Sequence, residues 1–491
     1  MESSKYTSTI LVLSFLYVIC RWTLACAQAR RDKKHRKTEA TFPPGPEPWP
    51  VFGNFITLSR LFRNPDLELL KLAKRFGSMT MMWFGSQPLL IINKAREAKE
   101  LLGQRGHIYS DRPSQNGFRE RAWTWRLVTI STGPQFRWLR NINHRLLGPR
   151  QSLNLRQYQD YESTIMLRDL VQAPSDFMHH AERYSISFMF SAVYGVRLMQ
   201  LGHFIMTEFF KLWEEMLHYF FPILEKLPER FQPWVKMANN LQKRETALHK
   251  AFLSALRPLV EAGTAPNCFG ASLMRMEEEE NINEEKMIGI LSLLIGAGTD
   301  TTSSILQNFF KVMAMNPEAL KNAQEELDLV VGSERLPTWD DEQNLPYLRA
   351  LIKEVHRWAP ITSLSVPHAN SEEDMYQGHR IPKGTIVFPN VTALSRDPEI
   401  YDNSDEFRPE RFLGNDLHAS ACVNHPDFRK RDHFHYGFGR RVCQGIFVAE
   451  ASLFIVIARI IWAFNIAPQA GAPPLSLDDK ICTSCYQHQR P

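Results

Sequence analysis

The stretch Tyr436-Gly437-Phe438-Gly439-Arg440-Arg441-Val442-Cys443-Gln444-Gly445 holds the residues best suited to chemistry in this sequence. Its one cysteine follows glycines at positions that suit tight turns, and precedes Gly445 and an apolar run from Ile446 to Phe464. Two arginines beside a thiol, with backbone N–H groups facing it, lower a cysteine's pKa and favour metal ligation. A buried, inert cysteine is the rival reading for any lone residue of this kind. Upstream, Ala297-Gly298-Thr299-Asp300-Thr301-Thr302 sets an acid beside an alcohol inside a long apolar segment. Ala297 and Thr301 are four apart and share one helix face. Glycine costs about 1 kcal/mol in a helix interior, so Gly296 and Gly298 imply that something approaches the backbone closely; a small-residue packing patch is the alternative. In Glu354-Val355-His356-Arg357, the acid and the arginine stand three apart, the spacing of a solvated helical pair contributing about 0.2–0.5 kcal/mol.

Such residues act only if rigid elements hold them. Asn283 reads as an N-cap with Glu284 and Glu285 in the first turn, opening an apolar helix that runs to Met315, about 32 residues. That length implies an element spanning the core. Asn316-Pro317 stops it and starts another helix, with Asn as cap and Pro in the first turn, running to Gly332. A third helix covers Leu345 to Trp358 and ends before Pro360. The acid run Glu277 to Glu280 reads as a solvated loop. Strand signals such as Thr385 to Phe388 are few, so the fold class is mainly α with small β-sheets.

The chain has 491 residues, 44% of them hydrophobic and 23% charged, which excludes general disorder. Its net charge of +5 equals the charge of one run, Arg30-Arg31-Asp32-Lys33-Lys34-His35-Arg36-Lys37. The remaining charges sum to zero, so nucleic acid is not an expected partner. Seven cysteines, an odd number, form no disulfide framework and suit a reducing compartment. Residues 1–28 read as a membrane anchor: Thr9 to Gln28 would span about 30 Å as a helix. Arg21 interrupts the segment, and the basic run after it predicts a body on the cytosolic side. A cleaved signal peptide ending at Ala25-Cys26-Ala27 and a buried core helix are the alternatives. Residues 29–50 form a basic and then proline-rich linker, stiff and extended, and residues 51–491 the body.

The cysteine segment resembles the haem-binding signature of the cytochrome P-450 family. Tyr436, Gly439, Arg441, Cys443 and Gly445 stand at the family's steps, with Tyr436 where phenylalanine is usual and Gln444 where proline is usual. The resemblance implies a single large haem domain behind a transmembrane anchor, with haem b iron held by the Cys443 thiolate. It implies that Ala297, Asp300 and Thr301 lie over the haem, the acid–alcohol pair relaying protons. Glu354, Arg357 and the Arg411 of Pro409-Glu410-Arg411-Phe412 would form a buried network. Arg441, the His368 of Ser365-Val366-Pro367-His368, and Arg140 would hold the propionates. In Phe136-Arg137-Trp138-Leu139-Arg140, Phe136 stands in the place of a tryptophan, unless Trp138 takes that role in a shifted register. Gly439 and Gly445 complete the cofactor-binding set.

A thiolate ligand pushes electron density into iron and favours O–O cleavage. The resemblance therefore implies a monooxygenase that inserts one oxygen atom from O2 into an apolar small molecule. Its style is that of fungal microsomal members acting on polyketide- or terpenoid-like compounds of secondary metabolism. No flavin or dinucleotide fingerprint is present, so electrons from NADPH are expected through a separate partner, NADPH-cytochrome P-450 reductase, with Arg137, Arg145 and Arg440 on the docking face. The expected location is the endoplasmic reticulum membrane, single-pass, with membrane lipid around the anchor and the body in the cytosol. The substrate pocket is expected to draw on Ile108 to Trp125, Leu293, Leu294 and Ile361 to Leu364. Likeness fades after Phe464, and Ile481 to Pro491 shows none of the family's closing strands; its Cys482-Thr483-Ser484-Cys485 has no partner pair. Two rival readings are an oxygen-independent haem-thiolate isomerase or dehydratase, and a non-catalytic haem-binding membrane protein.

Overall fold

The computed structural model describes residues 41–113, 125–198, 233–468 and Gly471. The expected anchor, the basic run, part of the 108–125 pocket segment and the Cys482–Cys485 pair lie outside the described residues. Contacts divide the chain into two units, one joining the chain up to Pro113 with Val366–Ala393, the other joining Ser114–Ser365 with Leu394 onward.

The first unit opens with helices α1 (Phe55–Arg63) and α2 (Pro65–Phe76). Asn64 caps α2 by accepting a hydrogen bond from Leu67 N–H at 3.3 Å, and Pro65 fills a first-turn position that needs no N–H. Strands β1 (Met79–Phe84), β2 (Gln87–Ile92), β3 (His368–Ala369), β4 (Asp374–Tyr376), β5 (His379–Ile381) and β6 (Ile386–Pro389) follow. Four of them make a sheet of order β1-β2-β6-β3, with β2 and β6 parallel, while β4 and β5 pair as a ribbon. β6 starts one residue later than Thr385 because the Thr385 N–H donates to Asn370 Oδ1 at 2.7 Å instead of to a strand.

The second unit is helical. It contains α3 (Pro134–Leu147), α4 (Arg156–Gln172), α5 (Phe177–Tyr194), α6 (Pro233–Glu261), α7 (Glu284–Met315), α8 (Pro317–Val330), α9 (Pro346–Trp358) and α10 (Ile446–Ala463). α7 is 32 residues long because it serves two cores in succession. Its first half packs in a cluster with Phe136, Leu139, Phe190 and Val448. Its second half packs with Leu327, Leu351 and Ile457. The Asn283 side chain accepts from Lys286 N–H at 2.9 Å, the cap the sequence leads one to expect. Asn316 behaves otherwise: it does not cap α8, and its Nδ2 donates back to Val312 O at 2.8 Å, closing the end of α7.

α7 and α10 are long and apolar enough to cross a membrane, yet 67% of each apolar window is buried within the protein. They are apolar nearly all round because they are core helices. A Cβ on Gly298 would lie 2.4 Å from Met189 Sδ, so the expected close approach is present, and the group that makes it is a side chain of α5. The acid run is a turn with Glu278 and Glu279 exposed, as expected of a solvated loop, but its ends are tied: Glu280 accepts from Trp138 Nε1 at 3.1 Å and from Arg145 at 2.5 Å, and Glu277 accepts from Arg257 at 2.9 Å.

Candidate active site

The loop before α10 is shaped by two left-handed residues, Gly437 at φ +74° and Gly439 at φ +51°, which glycine adopts without steric cost. The loop closes when Cys443 N–H donates to Tyr436 O at 2.8 Å. Gly445 has an ordinary φ of −83°, so no backbone constraint demands glycine there; a Cβ would sit 3.9 Å from Cys443 Sγ. The Cys443 side chain is exposed, yet enough protein surrounds its sulfur for desolvation to raise the thiol pKa. A hydrogen bond from the Gly445 N–H and the charge of Arg140 act in the opposite direction and are outweighed. The expected low thiol pKa is therefore not a property of the protein alone. Ligation to a metal deprotonates such a thiol outright.

The cations also differ from the sequence expectation. Arg440 is exposed. Arg441 donates to the carbonyls of Leu127 at 3.1 Å and Ile130 at 2.6 Å, and its guanidinium stacks 4.0 Å from the centre of the Phe136 ring. Phe136, buried and without a donor of its own, thus serves as a platform for this arginine. Arg140, on α3, is the arginine whose field reaches the sulfur. It donates to Val442 O at 3.4 Å and has no carboxylate partner among the described residues, and burial lowers its pKa. Trp138 does not replace Phe136, because its Nε1–H is committed to Glu280. Sequence reasoning missed Gln444. Standing in proline's place, it donates from Nε2 to Arg140 O at 2.9 Å and ties the cysteine loop to α3; the departure from proline was the available signal.

On α7, Ala297 and Thr301 are exposed although Leu294, Ile295, Thr299 and Thr302 beside them are buried. A core helix thus carries one accessible stripe of small side chains. Thr301 Oγ1 donates to Ala297 O at 2.7 Å, so its hydroxyl is held by its own helix and not by Asp300. Asp300 is half-buried, and its carbonyl accepts from Ser303.

Glu354, Arg357 and Arg411 come together. The first two have no exposed side-chain surface. Arg357 donates from Nε and Nη2 to the two Glu354 oxygens, both at 2.7 Å, and Arg411 Nε donates to Glu354 at 3.1 Å. His368 belongs to the first unit, on β3, where it is buried with Nδ1 2.8 Å from Tyr109 O. If Nδ1 carries the proton there, the neutral ring offers Nε2 as an acceptor, and only the imidazolium would donate to a carboxylate.

The family model for cytochrome P-450 matches residues 43–489, running beyond Phe464 where the motif likeness fades. The chain is 56% identical to the cytochrome P-450 monooxygenase polD of Polytolypa hystricis over 453 residues, 90% of this chain and 87% of that protein. It is 32% identical to the monooxygenase fogE of Aspergillus ruber, over 94% of this chain and 85% of that protein. It is 33% identical to virE of Hypocrea virens, over 90% and 82%.

The chain belongs to the cytochrome P-450 family. It is an oxidoreductase of the monooxygenase type, and the family implies a haem-thiolate cofactor, a redox partner and a small-molecule substrate. The second unit suits that cofactor: it offers an accessible cysteine sulfur, an accessible small-residue stripe on a buried helix, and a half-buried arginine without a carboxylate partner among the described residues.

Proposed function

We propose that residues 51–491 act as a haem-thiolate monooxygenase domain that oxygenates an apolar small molecule, polyketide- or terpenoid-like, in secondary metabolism, with electrons from NADPH through a separate NADPH-cytochrome P-450 reductase. Cys443 provides the axial thiolate, and its accessible sulfur at a closed glycine loop is the observation that carries the reading. The haem, when bound, supplies the oxygen-activating chemistry that a thiolate ligand favours. Gly445 N–H holds the sulfur's charge, and Arg140 adds a cation to the same side. Arg140 and Arg441 hold the propionates, since buried carboxylates need charged or hydrogen-bonding partners. Ala297 leaves the α7 stripe low enough for a flat ligand, and Gly439 gives the loop its turn. Asp300 and Thr301 move protons, the Thr301 hydroxyl leaving the Ala297 carbonyl to do so. Glu354, Arg357 and Arg411 hold α9 to the segment from Ser395 to Arg411.

The enzyme works as a single-pass protein of the endoplasmic reticulum membrane with its catalytic body in the cytosol. Two features support this reading: the basic run after the apolar N-terminal segment, and exposed Trp49, Phe52, Phe55 and Ile56 where the linker meets α1. These apolar side chains suit contact with lipid.

One experiment tests the reading. Full-length protein and its Cys443→Ser variant are prepared in microsomes with the reductase. The reduced wild type is expected to give the thiolate-type carbon monoxide spectrum, to form product only with O2 and NADPH, and to sediment with the membranes. Cys443→Ser is expected to lose the spectrum and the product. A variant spectrum identical to wild type removes the ligand assignment, and product formed without O2 would favour isomerisation or dehydration.

A further inference from the structure

Behind the cysteine loop lies a cluster that the monooxygenase reading does not use. His433 and His435 on the loop stack at 10°, and His356 on α9 is tilted against both at 34–38°, with all ring centroids 4.5–4.7 Å apart. One ring nitrogen of each lies within 4.8 Å of the others. His356 and His433 are 5% and 1% exposed. Three phenylalanines would fill such a space without polar atoms. Here His356 Nδ1, His433 Nδ1 and both nitrogens of His435 are buried without a hydrogen-bond partner among the described residues. The neighbouring Tyr436 hydroxyl is in the same condition, while the buried Asp432 carboxylate has only Lys353, 3.8 Å away, and the Cys422 thiol near it. Buried polar atoms are nearly always partnered, so a concentration of orphans at one place calls for a ligand that satisfies them together.

We propose that His356, His433 and His435 form a site for a divalent transition-metal cation of the zinc class. Three imidazoles are the donor set such ions prefer over magnesium or calcium. Zinc–nitrogen bonds of about 2.0–2.1 Å place tetrahedral ligand atoms about 3.3 Å apart. The nitrogens therefore need to draw together by an ångström or so, which small ring rotations supply. Burial holds all three rings neutral, the form that ligates.

Charge and space agree. Asp432, fully buried, brings Oδ1 to 3.7 Å from His433 Nε2 and offers an anion as ligand or as outer partner. Three cations oppose the site. Lys353 lies 3.8 Å from Asp432 but donates to the carbonyls of Asn415 and Leu417, and buried Arg431 donates to those of His433 and Gly437. Arg349 lines the adjoining cavity but donates to Asp416 O. Glu342 and Glu450 line the same cavity and offset part of that charge. The cavity is walled by His356 and His433, not by His435, and leaves room for water to complete the coordination shell; exposed His418 at its wall gives solvent access. Tyr436 O receives the Cys443 N–H, so a cation here would tie α9 to the loop that presents the thiol. Its role is structural and lies outside the oxygen chemistry.

The test uses full-length, haem-loaded protein in detergent with any affinity tag removed. It is dialysed against a chelator and titrated with Zn2+ and, separately, Co2+, while iron and zinc are measured independently. Wild type is expected to bind one equivalent of zinc beside its haem and to give the visible bands of tetrahedral cobalt. His435→Phe, which keeps a ring in place, is expected to lower zinc affinity at least about tenfold with haem content unchanged. Wild type that binds zinc no better than His435→Phe overturns the proposal. So does wild type that binds less than stoichiometrically, a result that stands even if the variant fails to fold. Haem content read on the same samples keeps this outcome separate from the fate of the monooxygenase reading.

Discussion

Two polar clusters share α9, and they are opposites. On one side, Arg357 uses all five of its N–H groups: two on Glu354, and one each on the carbonyls of Ser395, Ser404 and Glu406. Glu354 also receives the Arg408 N–H at 2.7 Å and the Arg411 guanidinium. On the other side, His356, one residue from Arg357, joins His433, His435 and Tyr436 in a group whose buried atoms find no partners among the described residues. Burial alone does not separate the two, because the side chains of both are largely buried. The difference is satisfaction. A closed network fixes one arrangement of loops, whereas an open one is a place prepared for something else.

The largest effect should come from opening the closed cluster. Glu354→Ala leaves the Arg357 and Arg411 cations without their carboxylate, and a fully buried uncompensated charge costs about 3–5 kcal/mol. We expect a matching loss in urea unfolding, accompanied by poor haem retention. A loss below about 1 kcal/mol, the range of an exposed pair, would mean that the network is no more than a surface contact drawn inward, and the contrast on α9 would fail.

How much of this was legible beforehand depends on the range of the interaction. The bounds of α7 were readable because Asn283 caps through an atom three residues away and Asn316-Pro317 interrupts locally. The turn glycines of the cysteine loop were readable for the same reason, since φ at Gly437 and Gly439 belongs to those residues alone. The arginine that reaches the thiol was not readable. Arg440 and Arg441 are neighbours in sequence, but Arg441 is drawn to Leu127 and Ile130, more than 300 residues away, and Arg140 takes the place beside the sulfur. Trp138 likewise meets Glu280 across 142 positions, a pairing set by helix packing and by no local rule. Gly298 was legible as a close approach, but the approaching group is a methionine of α5.

A third buried cluster lies between the two extremes and makes the contrast sharper. Tyr194 and His249 are hydrogen-bonded to each other at 2.5 Å, and burial pushes the His249 pKa down to about 4, with Glu245 opposing and Arg126 reinforcing the shift. In the unfolded chain this histidine titrates near 6.5. Between those values the unfolded state binds the extra proton. Stability from this group is therefore complete above about pH 6.5 and is lost progressively as pH falls towards 4, by up to about 3 kcal/mol. The slope of unfolding free energy against pH in that window should flatten in His249→Gln. An unchanged slope would show that the histidine is already solvated in the folded protein.

The smallest effect has the opposite sign, and the sign is what makes it decisive. Tyr436 stands where phenylalanine is usual in the family, and its hydroxyl is buried without a partner among the described residues. Removing an unsatisfied buried group returns its desolvation cost, about 1–3 kcal/mol, less a little lost packing. In chelator-treated protein, Tyr436→Phe is expected to be neutral or more stable than wild type by about 1 kcal/mol, measured as an increase in urea midpoint at constant slope. In zinc-loaded protein that gain should shrink, because the cation and its water give the phenol a partner. A destabilisation of the metal-free protein would mean that the hydroxyl is already satisfied, and the open cluster on α9 would then be as closed as its neighbour.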